Sequence, residues 1–252
     1  MKKLLVVGGV LLVMLMLYAG WIKLRSLDVD DGGLPLAIRW EGFYHDMNLR
    51  DVGSSINRCL GENILAETVV SRSAGWFSGW SCDKVGNPDV IYSLNYSPKR
   101  EERYFCQSDS DKTIGRFFNP DIQFKDLEFI ENWQDPNVRT AACRALSDMF
   151  LSILEDKKML IHCDAGRDRT GTYSALLAAM AAEAEDRLDL QMLDAIECDY
   201  RKTKSLSKEK YGRMKQFIKS LQDEGGVASF IQQTCSIQPQ VTSRVAQKLL
   251  RN

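Results

Sequence analysis

A short segment in the second half of the chain places a cysteine and an arginine six positions apart, in Ile161-His162-Cys163-Asp164-Ala165-Gly166-Arg167-Asp168-Arg169-Thr170-Gly171. A thiolate such as that of Cys163 is a strong nucleophile, and the planar guanidinium of Arg169 can bind two phosphate oxygens at once. Five residues between them let the chain curl into a cup whose backbone N–H groups face an anion, and Gly166 permits the bend. The spacing therefore indicates in-line attack of Cys163 on the phosphorus of a bound phosphate ester.

The flanking sequence predicts how this loop is held. The apolar run Met159-Leu160-Ile161 suits a short buried strand, and residues 173–182 are rich in strong helix formers. The loop then joins a strand to a helix N-terminus, where unpaired N–H groups and the positive end of the helix dipole attract an anion and favour the thiolate. The alternative interpretation of Cys163 is a buried structural cysteine before an ordinary helix.

Each residue of the loop has a predicted role. We expect the backbone of Asp164, Ala165 and Gly166 to contact the substrate phosphate. Thr170 can donate its hydroxyl to the sulfur of Cys163 and stabilise it as a leaving group. We also assign His162 to the substrate-binding set, where it is better placed to orient the loop from behind than to reach the substrate. Arg167, a cation inside the cup, is expected to meet a second anionic group, which suggests a substrate with more than one phosphate or an acidic peptide.

The loop resembles that of the protein tyrosine phosphatase superfamily, and within it a bacterial tyrosine-phosphatase-like branch that includes dual-specificity and phosphoinositide phosphatases. That branch typically reads His-Cys-x-Ala-Gly-Lys-Asp-Arg-Thr-Gly, and Arg167 stands here in place of the lysine. Weaker similarity lies in residues 48–53, 70–74, 199–200 and 225–231, so that the resemblance covers roughly residues 40–235. One departure is residues 93–97, Ser-Leu-Asn-Tyr-Ser, where relatives more often carry Asp-Leu-Arg.

The resemblance implies a cysteine-phosphatase fold and a phosphocysteine mechanism acting on phosphotyrosine, another phosphoprotein or a phosphoinositide. We predict no cofactor. Two competing interpretations remain: a catalytically inactive phosphate-binding adaptor that keeps the cup, and another thiol enzyme, either a sulfurtransferase or an arsenate reductase. The intact Cys163, Arg169 and Thr170 argue against the adaptor, and Thr170-Gly171 after the arginine favours a phosphatase.

Two carboxylates are candidates for the general acid that protonates the leaving oxygen. Asp135 lies in Trp133-Gln134-Asp135-Pro136, twenty-eight positions before Cys163, and this resembles the mobile Trp-Pro-Asp loop of many tyrosine phosphatases. Asp168 lies inside the cup, and the resemblance to the branch with an Asp-Arg-Thr loop makes this position itself a candidate acid. Nearness favours Asp168, whereas the loop-like sequence around Asp135 favours Asp135, which ranks slightly ahead. Asp135 before Pro136 also fits a helix N-cap, so that its role as acid and its role as cap can coexist.

The amino terminus predicts a membrane anchor. Residues 4–22 are nineteen residues without a charge, between Lys2-Lys3 and Lys23. This length approaches the ~20 residues that span a ~30 Å hydrocarbon core. We therefore expect a transmembrane signal anchor at 1–25, a linker at 26–38 and a catalytic domain at 39–252. The short amino-terminal tail favours a single-pass protein of a bacterial inner membrane with a periplasmic catalytic domain, and the alternative is secretion after signal cleavage.

Composition narrows the classes of partner, metal site and compartment that the protein can have. The formal net charge is −1, which does not indicate a nucleic-acid partner. Neither of the two histidines belongs to a cluster with metal-ligand spacing, so no metal site is predicted. Besides Cys163 there are six cysteines, an even number that permits three disulfides in an oxidising compartment, although fifteen pairings are conceivable. Six reduced cysteines, or one that resolves oxidised Cys163, are the alternatives.

Periodicity predicts an α/β fold with a central sheet flanked by helices. The expected strands of this sheet are 69–70, 90–94 and 159–162. The expected helices are 138–154, 171–185, 188–200 and 207–221.

Overall fold

The structure is a computed structural model, and it describes residues 14–18, 48–74, 80–94, 106–107, 113–114, 116–117, 126–163, 165–204 and 206–251. Of the predicted anchor at 1–25, only residues 14–18 are described, as helix with exposed side chains; the rest of it, and the predicted linker at 26–38, lie outside the described residues. In the part of the chain that the structure describes, no helix is both long enough and apolar enough to cross a membrane.

Among the described residues, eight short strands form two sheets. In chain order they are β1 Arg50–Asp51, β2 Val70–Ala74, β3 Trp80–Ser81, β4 Val90–Ser93, β5 Cys106–Gln107, β6 Thr113–Ile114, β7 Arg116–Phe117 and β8 Met159–Cys163. The larger sheet has the order β1-β2-β8-β4-β7, and the smaller one has the order β3-β5-β6. β8 lies at the centre of the larger sheet and pairs in parallel with β2 and β4, so that Cys163 lies beside Ala74 and His162 lies between Ser73 and Ser93.

Seven α-helices follow the helical residues 14–18 in the part of the chain that the structure describes. They are α1 Val52–Leu60, α2 Pro136–Leu154, α3 Asp168–Glu183, α4 Leu190–Arg201, α5 Arg213–Asp223, α6 Val227–Cys235 and α7 Pro239–Leu249, and short 3₁₀ helices occupy Cys82–Val85, Ile130–Gln134 and Lys208–Lys210. These elements confirm the predicted α/β fold with helices against a central sheet. The helix predicted at 207–221 is interrupted, because Gly212 adopts φ = 88° and separates the 3₁₀ turn from α5.

The two faces of the central sheet bury different residues, because successive side chains of a strand point to opposite faces. On one face Met159, Ile161 and Cys163 join the main core with α2 and α3. On the opposite face Leu160 joins a smaller core with Ile91, Cys82 and Cys106. Cys163 is therefore the last side chain of the central strand on the face that the helices cover.

Six of the seven cysteines form the disulfides Cys59–Cys198, Cys82–Cys106 and Cys143–Cys235. All seven cysteines lie within the described residues, and Cys163 alone is unpaired. The alternative of six reduced cysteines is therefore wrong. Because these six are paired with one another, none of them is a free thiol beside Cys163 in this structure. The pairs join positions that lie 139, 24 and 92 residues apart in the chain, which explains why spacing alone does not reveal them.

Candidate active site

The loop predicted to form the cup connects the end of β8 at Cys163 to the first residue of α3 at Asp168. The residue Cys163 is 3% exposed and therefore almost fully enclosed. Because α3 begins five residues after Cys163, its unpaired N–H groups lie at the end of the loop that a bound anion would occupy. Asp164 lies outside the described residues.

Gly166 is the position at which the loop requires glycine. Its φ is +63°, a left-handed conformation that other residues rarely adopt. A Cβ at this position would lie 2.4 Å from the carbonyl carbon and oxygen of Ser73 and 2.6 Å from the backbone nitrogen of Ala74. The loop therefore rests directly on the backbone of β2, with no room for a side chain between them.

Side chains outside the loop hold its carbonyl groups. The Asn48 amide donates to the carbonyl of Ala165 at 2.8 Å, and the Arg72 guanidinium donates to the carbonyls of Gly166 at 2.9 Å and Arg167 at 3.2 Å. In a planar trans peptide the C=O and the following N–H point in opposite directions. Three carbonyls held from outside therefore turn the N–H groups that follow them to the other side of the loop, where they can bind an anion.

A buried ion-pair network supports Arg72. The Asp199 carboxylate accepts from Arg72 at 2.5 Å and from Arg50 at 2.6 Å, and Arg50 also donates to the Thr203 hydroxyl at 3.1 Å. Burial, followed by repulsion from Arg50, lowers the pKa of Arg72 to about 10, so that its guanidinium remains charged at neutral pH. Burial raises the pKa of Asp199, but the charges of Arg50 and Arg72 outweigh burial and hold it well below its usual range.

Arg169 and Thr170 lie on the first turn of α3. The Arg169 guanidinium donates to the carbonyl of Leu94, just past the end of β4, at 2.7 Å, which holds its planar group beside the strand next to β8. The Thr170 hydroxyl is buried and has no hydrogen-bond partner among the described residues, so the structure shows no hydrogen bond from it to Cys163. An unpaired buried hydroxyl is costly, and the sulfur or a phosphate oxygen would relieve that cost.

Asp168 is bound by three groups from three segments. Its Oδ2 accepts from Arg167 Nε at 3.0 Å and from Lys210 Nζ at 2.6 Å, and its Oδ1 accepts from the Tyr200 hydroxyl at 2.6 Å. Gly171 makes room for the Tyr200 ring, because a Cβ there would lie 2.9 Å from that ring. Burial raises the pKa of Asp168, but the hydrogen bonds from Lys210 and Tyr200 and the charge of Arg167 bring it below its ordinary value.

Asp135 is the N-cap of α2. Its carboxylate accepts from the backbone N–H of Asn137 at 2.8 Å, Pro136 occupies the first turn, and the side chain is exposed. The Tyr173 hydroxyl of α3 donates to the carbonyl of Ala142 in α2 at 3.0 Å, which joins the two helices. The geometry gives Asp135 the capping role, and its role as general acid stays a prediction.

Glu128 is a residue near the site that sequence reasoning missed. Its side chain is 0% exposed, Oε1 accepts from Arg213 at 3.1 Å, and Oε2 has no hydrogen-bond partner among the described residues. Burial raises the pKa of Glu128, and the negative charges of Asp168 and Asp126 raise it further. The sequence held one signal for Glu128 as a site residue. It lies seven residues before the candidate acid Asp135, just ahead of the 3₁₀ turn that contains Trp133.

His162 lies on the sheet face opposite Cys163. It is fully buried, and its Nδ1 lies 3.4 Å from the carbonyl oxygen of Cys163. This position fits orientation of the loop from behind rather than contact with a substrate.

Comparison with known proteins adds an independent finding. Residues 120–251, which are more than half of the 252 residues, match the tyrosine phosphatase family. No curated protein matches the chain at a significant level. The match contains β8, the loop and helices α2 to α7, and therefore both Cys163 and Arg169. The chain belongs to the tyrosine phosphatase family.

Proposed function

We propose that this protein is a cysteine-dependent phosphatase that hydrolyses phosphomonoesters, with phosphotyrosine or another phosphoprotein as its substrate. One observation carries the proposal. Cys163 is the unpaired cysteine of the seven, and it lies at the end of the central strand, directly before a helix N-terminus and six residues before Arg169. A purely structural thiol would require neither a helix N-terminus directly after it nor an arginine six residues later.

The first chemical step uses the loop as a phosphate cup. The substrate phosphate binds to the loop N–H groups and to the guanidinium of Arg169. In this structure that guanidinium donates a hydrogen bond to the Leu94 carbonyl. The Cys163 thiolate then attacks phosphorus in line with the leaving oxygen, so that an S–P bond forms as the P–O bond breaks. In the second step water attacks the phosphocysteine and releases inorganic phosphate, and the Thr170 hydroxyl stabilises the departing sulfur.

We assign the proton of the leaving oxygen to Asp168 and keep Asp135 as the alternative donor. Asp168 lies in the loop itself, whereas the Asp135 carboxylate caps α2. Asp168→Asn is expected to lower kcat at least about 100-fold, since general acid catalysis contributes ~10²–10⁴-fold. If Asp135→Asn loses that activity while Asp168→Asn keeps it, the two assignments must be exchanged.

A second candidate substrate class is supported by the cations at the loop. Arg167 and Lys210 are 29% and 18% exposed and both lie beside Asp168. Two partly exposed cations next to the cup fit a substrate with more than one anionic group, such as a phosphoinositide or a soluble inositol phosphate. An inactive phosphate-binding adaptor is the alternative of another class.

We further propose that the catalytic domain lies in the periplasm, anchored by the apolar segment at 4–22. Three disulfides are typical of proteins that fold in an oxidising compartment. Reporter fusions at the carboxyl terminus test this location. An alkaline phosphatase fusion should be active and a green fluorescent protein fusion dark, and the opposite result would place the domain in the cytoplasm.

The proposed function is tested by turnover of the protein on phosphotyrosine peptides, phosphoserine peptides, phosphoinositides and soluble inositol phosphates. Cys163→Ser is the control, because it removes the nucleophile and keeps the volume of the side chain. We expect turnover of at least one substrate class, and its loss in Cys163→Ser. Activity that survives in Cys163→Ser would refute the assignment of the nucleophile.

A further inference from the structure

The two oxygens of the Asp168 carboxylate have different partners. Oδ1 accepts from the neutral hydroxyl of Tyr200 at 2.6 Å. Oδ2 accepts from two cations, Arg167 at 3.0 Å and Lys210 at 2.6 Å. One oxygen is therefore fixed to the protein core, and the other is shared by two positive charges.

The partners of Asp168 also differ in how much freedom their side chains have to move. The residue Tyr200 is 1% exposed and packs against α3 at Gly171. The side chains of Arg167 and Lys210 are 29% and 18% exposed, and Lys210 lies in a short 3₁₀ turn rather than in a long helix. An incoming anion can therefore draw the two cations towards itself, while Tyr200 stays on Oδ1.

We propose that Lys210 is a positioning residue that holds Asp168 as a carboxylate until a second anionic group of the substrate draws Lys210 and Arg167 away from Oδ2. This inference rests on the proposed phosphatase function and on Asp168 as the general acid. It names the preferred substrate class: a phosphomonoester with another anionic group close to the reacting phosphate.

The charges around Asp168 determine whether its pKa rises or falls when the substrate binds. Arg167, Lys210 and Tyr200 lower its pKa, whereas burial raises it. Glu128, packed nearby on Arg213, adds a negative charge that repels that of Asp168. Once the two cations bind the substrate, burial is opposed only by the hydrogen bond from Tyr200, and the pKa of Asp168 rises. Binding of the second anion is thereby coupled to uptake of a proton on Oδ2.

With Asp168 in this role, every proton in the reaction has a donor and an acceptor. Solvent supplies the proton to Oδ2 as the substrate binds. That proton passes to the leaving oxygen as the P–O bond breaks and the bond between phosphorus and the Cys163 sulfur forms. Water then attacks the phosphocysteine, its proton passes to Asp168, and the S–P bond breaks to release inorganic phosphate and the thiolate. When the product leaves and the two cations bind Oδ2 again, Asp168 returns its proton to solvent. One water is consumed in each turnover.

The test compares two synthetic substrates that differ in one charge, 3-carboxyphenyl phosphate and its methyl ester. We expect the protein to favour the carboxylate about tenfold in kcat/KM, the equivalent of one charged contact. Lys210→Met should abolish this preference, and Lys210→Arg should restore it. Lys208→Met is the matched control, because Lys208 is exposed in the same 3₁₀ turn and makes no contact with Asp168 among the described residues.

A binding measurement keeps the inference testable without turnover. Calorimetry of Cys163→Ser with 3-carboxybenzylphosphonate and with its methyl ester, in buffers of different ionisation enthalpy at about pH 6, counts the protons taken up. We expect uptake with the carboxylate only, and its loss when Asp168→Asn is added. Equal uptake with both ligands, or an unchanged preference in Lys210→Met, would overturn the inference. Absence of turnover by the unmodified protein would instead refute the proposed function.

Discussion

The buried carboxylate of Asp199 allows the most quantitative test of how the loop is held. Asp199→Asn keeps the shape of the side chain and removes its charge. Two guanidinium groups, Arg72 with its side chain 1% exposed and Arg50 with its side chain 11% exposed, then lose their common partner. Removing one partner of a buried ion pair costs about 3–5 kcal/mol. We expect the free energy of unfolding to fall by about this amount, a large share of the ~5–15 kcal/mol that stabilises a typical domain.

The assay is urea unfolding of the oxidised protein, followed by fluorescence. Asp194→Asn is the matched control on the same helix, because Asp194 pairs with Lys215 on the surface, where their side chains are 64% and 33% exposed. A surface pair contributes less than about 1 kcal/mol. If Asp199→Asn costs no more than Asp194→Asn, the network does not hold the loop as we describe.

Asp199→Asn also tests how the free energy of unfolding depends on pH. The folded-state pKa of Asp199 is held below its ordinary value, so the stability that it contributes is present above the unfolded-state pKa of about 3.9. This contribution is lost only as the pH falls through the folded-state pKa. The difference between the unmodified protein and Asp199→Asn should therefore stay constant from about pH 7 to pH 5 and decrease below about pH 4. A difference that decreases between pH 7 and pH 5 would contradict the assignment.

Three further predictions concern the loop, the buried acid and a disulfide. Gly166→Ala should lower kcat/KM about 100-fold, because its Cβ would displace the loop from the β2 backbone, whereas Gly61→Ala, also at positive φ but in open space, should leave activity unchanged. The folded-state pKa of Glu128 is raised, so the stability of the unmodified protein relative to Glu128→Gln should fall as the pH rises from about 4 to 7 in urea unfolding, and a flat difference would contradict this. Replacing both Cys143 and Cys235 by alanine should lower the free energy of unfolding by about 2–5 kcal/mol, because their disulfide closes a separation of 92 residues, and an unchanged urea midpoint would contradict the pairing.

The loop could be predicted from the sequence because its determinants are local. The apolar strand before Cys163, the helix formers after Thr170 and the glycine at 166 lie within about twenty consecutive residues. The N-cap at Asp135 followed from the same kind of evidence. Each of these features depends on neighbours in the chain, which a pattern of residues records directly.

The supports of the loop could not be predicted in this way. Asn48 lies 117 residues from Ala165, and Arg72 lies 127 residues from Asp199, so their meeting depends on the parallel pairing of β2 with β8 and on the packing of α4. The contact of Lys210 with Asp168 likewise lies in a 3₁₀ turn that the left-handed Gly212 separates from α5, where the sequence predicted one continuous helix. The resemblance marked several of these segments without indicating what their side chains contact.

The central claim is that Cys163 carries the phosphoryl group between the two chemical steps. The most direct measurement is acid quenching of the reaction within its first turnovers, followed by mass spectrometry of the intact protein and of its peptides. We predict one phosphoryl group on the peptide that contains Cys163, and its absence in Cys163→Ser. A turnover that leaves Cys163 unmodified at every quench time, or a phosphoryl group on another residue, would contradict the account.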